Sequence, residues 1–274
     1  MDSFDYEITI VMPVYNEPMV ANVVDEWANM LKHCCGGNGY RMILVDDGCN
    51  PSTKQVLGEL QKRPYVKVLH QENKGHGAAI WAGYTYVGDF NTKWVLQIDS
   101  DGQVSARDFP KFWRIAVTNH DTHAILGYRT DRKDGFGRLV STMVLRTVFY
   151  AHTKQWCDSN VPFRLIKADT LKHARLDMQK VLENSRISAF DYTNIILTQW
   201  LVKNELSHMM WQPISFIQRK AGKNTVNMTN MPKRGIQAIK EMRIFSAFYK
   251  QKQAQLADGA QQKIAKISAK MAKL

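Results

Sequence analysis

Trp94-Val95-Leu96-Gln97-Ile98-Asp99-Ser100-Asp101-Gly102-Gln103 decides how this chain folds. Its first five residues are mostly apolar and do not alternate with polar ones, which predicts a strand buried on both faces. That strand stops at two carboxylates, a glycine and an amide. Carboxylates one residue apart, on chain leaving a strand, can both turn toward one hard divalent cation, which prefers oxygen ligands and also binds substrate phosphates. Taken alone, Asp-x-Asp reads as a solvated turn, so its surroundings must decide.

Upstream, Ile8 to Val14 is a continuous apolar strand that runs into Tyr15-Asn16-Glu17-Pro18. Val20, Val23, Val24, Trp27, Met30 and Leu31 then recur at helical spacing. Arg41 to Val45 predicts a second strand, ended by Asp46-Asp47-Gly48 and followed by a helix around Thr53 to Gln61 that Pro51-Ser52 starts. Val66 to Leu69 predicts a third strand, with a helix after Gly75-His76-Gly77. Buried strands alternating with amphipathic helices imply a mainly parallel sheet, and ligands of such sheets bind at the carboxyl ends of the strands. Three of these four strands end in acidic or glycine-containing segments, so the acidic groups converge on one rim.

Downstream the signals are less regular. Ala124 to Gly127, Phe163 to Ile166 and Trp211 to Ile217 read as strands, and Arg138 to His152 and Tyr192 to Val202 as helices. Gln218 to Asn224 is a basic loop. From Ile236, apolar residues Ile239, Met242, Phe245, Phe248 and Tyr249 recur at helical spacing; after Ala257-Asp258-Gly259 come Ile264, Ile267, Met271 and Leu274. This pattern predicts two basic amphipathic helices with a break between them.

The 274 residues, 45% hydrophobic and 23% charged, suit one large α/β domain and exclude general disorder. The longest tempting apolar run, Leu139 to Tyr150, is interrupted by Arg146 and is short of a membrane span. The acidic start is unlike a signal peptide, which predicts a cytoplasmic protein. Cys34, Cys35, Cys49 and Cys157 lack zinc-ligand spacing and read as reduced thiols; His120 to His123 reads as a loop. Net charge is +12, and the segment from Met231 to Leu274 carries +8 of it, ten Lys or Arg against Glu241 and Asp258.

Four segments, in order, resemble family 2 glycosyltransferases of the GT-A fold: Val11 to Glu17, Val45 to Gly48, Asn73 to Ala79 and Asp99 to Gln103. The similarity covers roughly Ile8 to Asn227 and is strongest to the branch of dolichyl-phosphate mannose synthase and bacterial polyprenyl-phosphate glycosyltransferases. It implies a Rossmann-like nucleotide-binding half with a mixed, mainly parallel sheet over residues 1–230, followed by a helical tail over 231–274. It also implies inverting transfer from a nucleotide-diphosphate-sugar with Mg²⁺ or Mn²⁺. By matching motif, Pro13, Tyr15, Glu17, Asp46, Asp47 and Lys74 line the donor nucleotide site, and Asp99, Asp101 and Gln103 hold the metal on the diphosphate. A cation there neutralises the charge that develops on the leaving diphosphate.

Arg129, Arg138, Ser141 and Arg219 match the segments that gather around a lipid phosphate in that branch, and arginine suits phosphate because its planar fork binds two oxygens and stays charged. The alternative reading of each is part of a solvated basic face. Three positions depart from the family pattern: Cys49 replaces a serine, His76 another basic residue, and Asn160-Val161-Pro162 a Ser-Gly that precedes Phe-Arg. Asp191 falls where hydroxyl-using relatives carry a general base, and it reads equally as a helix cap. A phosphate acceptor needs no base, since phosphate esters have a second pKa of about 6.

The expected acceptor is a polyprenyl phosphate, with a saccharide hydroxyl as the alternative. The basic tail predicts peripheral binding to an anionic membrane surface on its cytoplasmic face; its other reading is a helix packed on the domain through Phe245, Phe248 and Tyr249. A catalytically idle module binding nucleic acid or a protein through the tail is the third reading, disfavoured because the clustered carboxylates are intact.

Overall fold

The computed structural model describes residues 6–36, 39–88, 91–130, 136–185, 187–217 and 231–271. Along the first half run β1 (Tyr6–Val14), α1 (Val20–Cys35), β2 (Tyr40–Asp47), α2 (Pro51–Leu60), β3 (Val66–Gln71), α3 (His76–Val87) and β4 (Thr92–Ile98). Along the second run α4 (Phe109–Thr118), β5 (Ala124–Arg129), α5 (Phe136–Thr153), β6 (Phe163–Lys167), α6 (Ala168–Glu183), α7 (Thr193–Asn204), β7 (Met209–Ile214) and α8 (Met231–Met271). The strands form one sheet in the order β3-β2-β1-β4-β6-β5-β7. β6 pairs antiparallel with both β4 and β5, while the other pairs are parallel. The sheet is therefore mainly parallel, as the sequence pattern predicts, and mixed, as the family resemblance implies.

Period-two alternation within the apolar strands divides the core into two layers. Ile8, Ile10, Met12 and Val14 of β1, Met42 and Leu44 of β2, and Trp94, Leu96 and Ile98 of β4 pack with α1, α2 and α4 on one face. Val11, Ile43, Val45 and Val95 pack on the other face with α3 and α5 to α8. Both faces are covered, which is why these strands read as unbroken hydrophobic runs.

The structure corrects three sequence expectations. Neither α4 nor α6 is apparent from the sequence pattern. The last strand is Met209–Ile214 rather than Trp211–Ile217, and Phe216 lies beyond it in an isolated bridge with Val104. The tail is one helix rather than two, since α8 continues through Ala257-Asp258-Gly259. A helical glycine costs about 1 kcal/mol relative to alanine, which good helix formers on either side absorb. The first half of α8 packs on α5, α6 and α7 and buries Ala238, Met242 and Phe245, with Phe248 and Tyr249 against the same core. From 253 to 258 every side chain is exposed. Among the described residues no helix is long and apolar enough to cross a membrane.

Candidate active site

In this order β1 lies between β2 and β4, so chain leaves β1 and β4 side by side where the strand order reverses, the position where open α/β sheets bind ligands. Ser100 fastens the two ends together, its hydroxyl donating to the Pro13 carbonyl at 2.7 Å. Asn16 sits at φ +54, and its side-chain oxygen accepts from the Asn50 backbone at 2.7 Å. Tyr15 is 40% exposed at this rim, Glu17 is buried, and the Lys74 side chain is exposed.

Asp46 and Asp47 are buried, and backbone and side-chain donors occupy their oxygens. Asp46 accepts from the Cys49 backbone at 2.8 Å and pairs with His70 Nδ1 at 2.9 Å. Burial alone would raise its pKa, but the Cys49 and His70 bonds outweigh it and hold the carboxyl below its ordinary value. Asp47 accepts from Gln71 at 2.7 Å and from the backbones of Lys74 and Gly75 at 2.8 and 2.9 Å. These bonds draw the chain after β3 across the end of β2. The crossing is close: a Cβ on Gly48, itself at φ +74, would meet the Asn73 nitrogen at 2.7 Å. Cys49 does the work expected of a serine, its thiol donating to the Val14 carbonyl and accepting from the Asn16 backbone, both at 3.3 Å.

Beside β4, His76 Nε2 lies 2.9 Å from Asp99 Oδ1, and Gln97 donates to the same oxygen at 3.1 Å. Gln97 in turn accepts from Arg164 at 3.1 Å; this guanidinium is fully buried and also donates to the Ser159 and Val161 carbonyls. Burial opposes charge on Asp99, yet His76 and Arg164 overcome it and lower its pKa. Burial and then the neighbouring Asp99 charge push Asp101 up to about 6. Two carboxylates crowded in this way form an oxygen donor set that a divalent cation relieves. Mg²⁺ and Mn²⁺ need only one or two protein carboxylates when diphosphate oxygens and water complete the shell. The residues therefore fit such an ion, although the described residues contain no ready-made group of three His, Cys, Asp or Glu ligands. Gln103 stands apart: its backbone donates to Asp101 at 3.0 Å, while its amide reaches the Ile217 carbonyl at 3.4 Å.

Because β6 is reversed, the chain entering it reaches the rim that β5 and β7 leave. There Arg129 binds Asp158 with both arms of its fork, at 2.8 and 2.9 Å, and stacks 5.1 Å from the centre of the Phe216 ring. Arg146, from α5, lies 3.9 Å from the same carboxylate. The Arg138 and Ser141 side chains and all of Arg219 fall outside the described residues.

Asp191 is exposed, just ahead of α7, and it does not cap that helix, whose N-cap Tyr192 makes no side-chain capping bond. Its carbonyl and that of Phe190 press on α3 so closely that a Cβ on Gly77 would meet each at 2.3 Å. The Asp191 segment thus adjoins His76 and, through it, Asp99.

The family model of glycosyl transferase family 2 matches residues 9–168, which span β1 to β6 and hold the ends of β1, β2 and β4 with their carboxylates. The chain belongs to this family. Its fold is the GT-A fold of glucosyl-3-phosphoglycerate synthase from Mycobacterium tuberculosis, solved with Mn²⁺, UDP-glucose and phosphoglyceric acid. The two superpose with a TM-score of 0.61 over 86% of this chain and 79% of that one, at 15% identity. Undecaprenyl-phosphate 4-deoxy-4-formamido-L-arabinose transferase of Edwardsiella ictaluri is 28% identical over 197 residues, 65% of this chain and 56% of that protein. The enzyme of the same name from Yersinia pestis is 26% identical over 190 residues, with the same shares. The chain spans about half the length of the curated relatives it matches.

As a family 2 member, the chain builds its rim with several residues that sequence reasoning does not single out. Gln97 and Arg164 fix Asp99, His70 and Gln71 fix the Asp46-Asp47 pair, and Arg146 shares Asp158 with Arg129. The only available signal was polarity in the wrong place: Gln97 and Arg164 interrupt strands that are otherwise apolar.

Proposed function

We propose that this family 2 protein moves a sugar, with inversion, from a nucleotide-diphosphate-sugar to a polyprenyl phosphate at a membrane surface. The observation that carries the reading is the pair formed by Asp99 and Asp101 on the same sheet edge as the Arg129-Asp158-Arg146 cluster. A bound Mg²⁺ or Mn²⁺ would supply charge neutralisation to the departing diphosphate, held there by Asp99 and Asp101. The ends of β1 and β2, with Tyr15, Glu17 and Lys74, take the nucleoside. Arg129 and Arg146 orient the acceptor phosphate, with Arg138, Ser141 and Arg219 assigned to the same task from the sequence. An oxygen of that phosphate attacks the anomeric carbon as the bond to the diphosphate breaks, and the electron pair leaves with the nucleoside diphosphate. The phosphate is already ionised, so no residue need take a proton.

The basic residues of α8 suit an anionic membrane surface on the cytoplasmic face, with residues 1–230 assigned to the GT-A domain and 231–274 to a tail whose first half packs on that domain. The names of the bacterial relatives support the lipid acceptor, and Mn²⁺ in the superposed structure supports the metal. The position of Asp191 beside Gly77 favours a second reading, transfer to a saccharide hydroxyl with Asp191 as base.

Thermal stability is measured with UDP, GDP and their sugars, with and without Mn²⁺, for the wild type and Asp99→Asn. Metal-dependent stabilisation by one nucleotide, lost in the variant, is the expected result; no stabilisation by any nucleotide would sink the transferase reading. Asp191→Asn then separates the acceptors. Activity within about threefold of wild type accords with a phosphate, and a loss of about a hundredfold with a hydroxyl that needs its base.

A further inference from the structure

Glu241 is the one acidic residue in the first half of α8, and it is fully buried. Its carboxylate points away from the basic surface of that helix and into the start of α7. Oε1 accepts from the Asp191 backbone at 3.0 Å and from Gln237 at 2.9 Å, and Oε2 accepts from the Tyr192 backbone at 3.1 Å. These two backbone donors precede a helix whose N-cap supplies no side chain, so a carboxylate from a distant element does the capping. Burial raises the Glu241 pKa, and the nearby Asp191 charge adds to the effect, while the three bonds oppose it.

The turn that Glu241 holds is itself clamped onto α3. Thr193 donates to the Gly77 carbonyl at 2.8 Å, and the Phe190 and Asp191 carbonyls leave no room for a side chain at Gly77. The neighbouring residue, His76, carries the imidazole that lies on Asp99. A continuous path therefore runs from α8 through the 190–193 turn and the first turn of α3 to the carboxylate pair.

We infer that Glu241 is a positioning residue for the transfer reaction, by which the C-terminal helix sets the 190–193 turn and the head of α3 against the reacting centre. This inference rests on the reading of the Asp99 edge as the site of transfer. The nucleoside end of the site has its own anchor on the far side of this path, Asp47 of β2 holding the Lys74 and Gly75 backbones, so the effect belongs in turnover rather than in donor binding.

The test uses the full chain in three forms: wild type, Glu241→Gln and Tyr249→Phe. Glutamine keeps the shape but offers one accepting oxygen where two backbone donors need two. Tyr249→Phe removes another tie between α8 and the end of α7, the hydroxyl bond to the Lys203 carbonyl, far from the site. For Glu241→Gln we expect amide exchange at Asp191 and Tyr192 to quicken about tenfold, and kcat to fall about tenfold with donor KM within about twofold. Tyr249→Phe should lower stability and leave kcat unchanged. Wild-type exchange or wild-type kcat in Glu241→Gln would overturn the inference, as would a loss of kcat in both variants in proportion to their loss of stability. If the wild type transfers no sugar to any acceptor, the functional reading fails by itself. Exchange at Asp191 and Tyr192, with retained binding of Mn²⁺ and nucleotide, then decides whether Glu241 sets the turn.

Discussion

The two ends of the sheet hold their charged groups in different ways. At the β1-β2-β3 end, Asp46 and Asp47 are fixed by backbone donors from Cys49, Lys74 and Gly75, so the fold of the loops and the placing of the carboxylates are one event. At the β5-β6-β7 end, the described contacts of Arg129 and Arg146 with Asp158 run from side chain to side chain. Backbone-held groups keep their geometry when neighbours change, whereas side-chain pairs can open to admit an anion. One end is a fixed socket and the other an adjustable clasp. The Asp99-Asp101 pair, the proposed metal ligands, stands between them, tied to the socket through Ser100 and to the clasp through Gln97 and Arg164.

Asp99→Asn should break the junction between the two ends, with kcat falling by about 10²–10³ as stabilisation of the leaving diphosphate is lost. Steady-state rates within fivefold of wild type would mean that Asp99 is not at the reacting centre. Asp47→Ala probes the socket. It leaves the Lys74 and Gly75 amides without their acceptor and should cost about 3 kcal/mol in urea unfolding, given about 1.5–3 kcal/mol per bond to a charged group; a loss below about 1 kcal/mol would show that the β3-α3 connection is held by other means. Arg146→Lys probes the clasp, and the loss of the fork should raise acceptor KM about tenfold while donor KM stays level. An unchanged acceptor KM removes Arg146 from that site.

The smallest effect is one of pH. The folded state lowers the Asp46 pKa, so this group adds stability above its unfolded value of about 3.9 and loses it as pH falls through the lower, folded value. Asp46→Asn should therefore flatten the decline of Tm below about pH 4. Parallel Tm curves for wild type and variant would show that the His70 and Cys49 contacts do not discriminate between the two protonation states.

The socket was legible in the sequence because its chemistry sits at the ends of continuous apolar strands, where a local pattern marks both the element and its functional terminus. The clasp was only partly legible. α6 buries Thr170, Leu171, Ala174, Asp177, Met178 and Val181, a helical stripe in which Thr, Ala and Asp hide the apolar periodicity. Asp177 is tolerable inside because Trp200 and Lys252 reach it. α4 opens on Phe109-Pro110 and is only ten residues long, too short for its period to stand out. Arg146 looked like an interruption of an apolar run, and Glu241 like one of two acids in a basic tail. Both owe their roles to partners far away in sequence, which no local pattern reports.

In the reversed strand β6, Arg164 is the direct cross-strand partner of Gln97, and its neighbours Phe163 and Leu165 face the opposite core layer, where Phe163 packs on Trp27 and Phe112. A slip of one residue would exchange these faces, burying the guanidinium among aromatic rings and turning Phe163 toward Gln97. The alignment that brings a charge to Asp99 is thus the same alignment that packs the hydrophobic interior. No partial unzipping of the sheet can release Arg164 and spare the core. Exchange of the β4 and β6 amides should accordingly be as slow as global unfolding, and the electrostatic wiring of the site should persist until the whole protein melts.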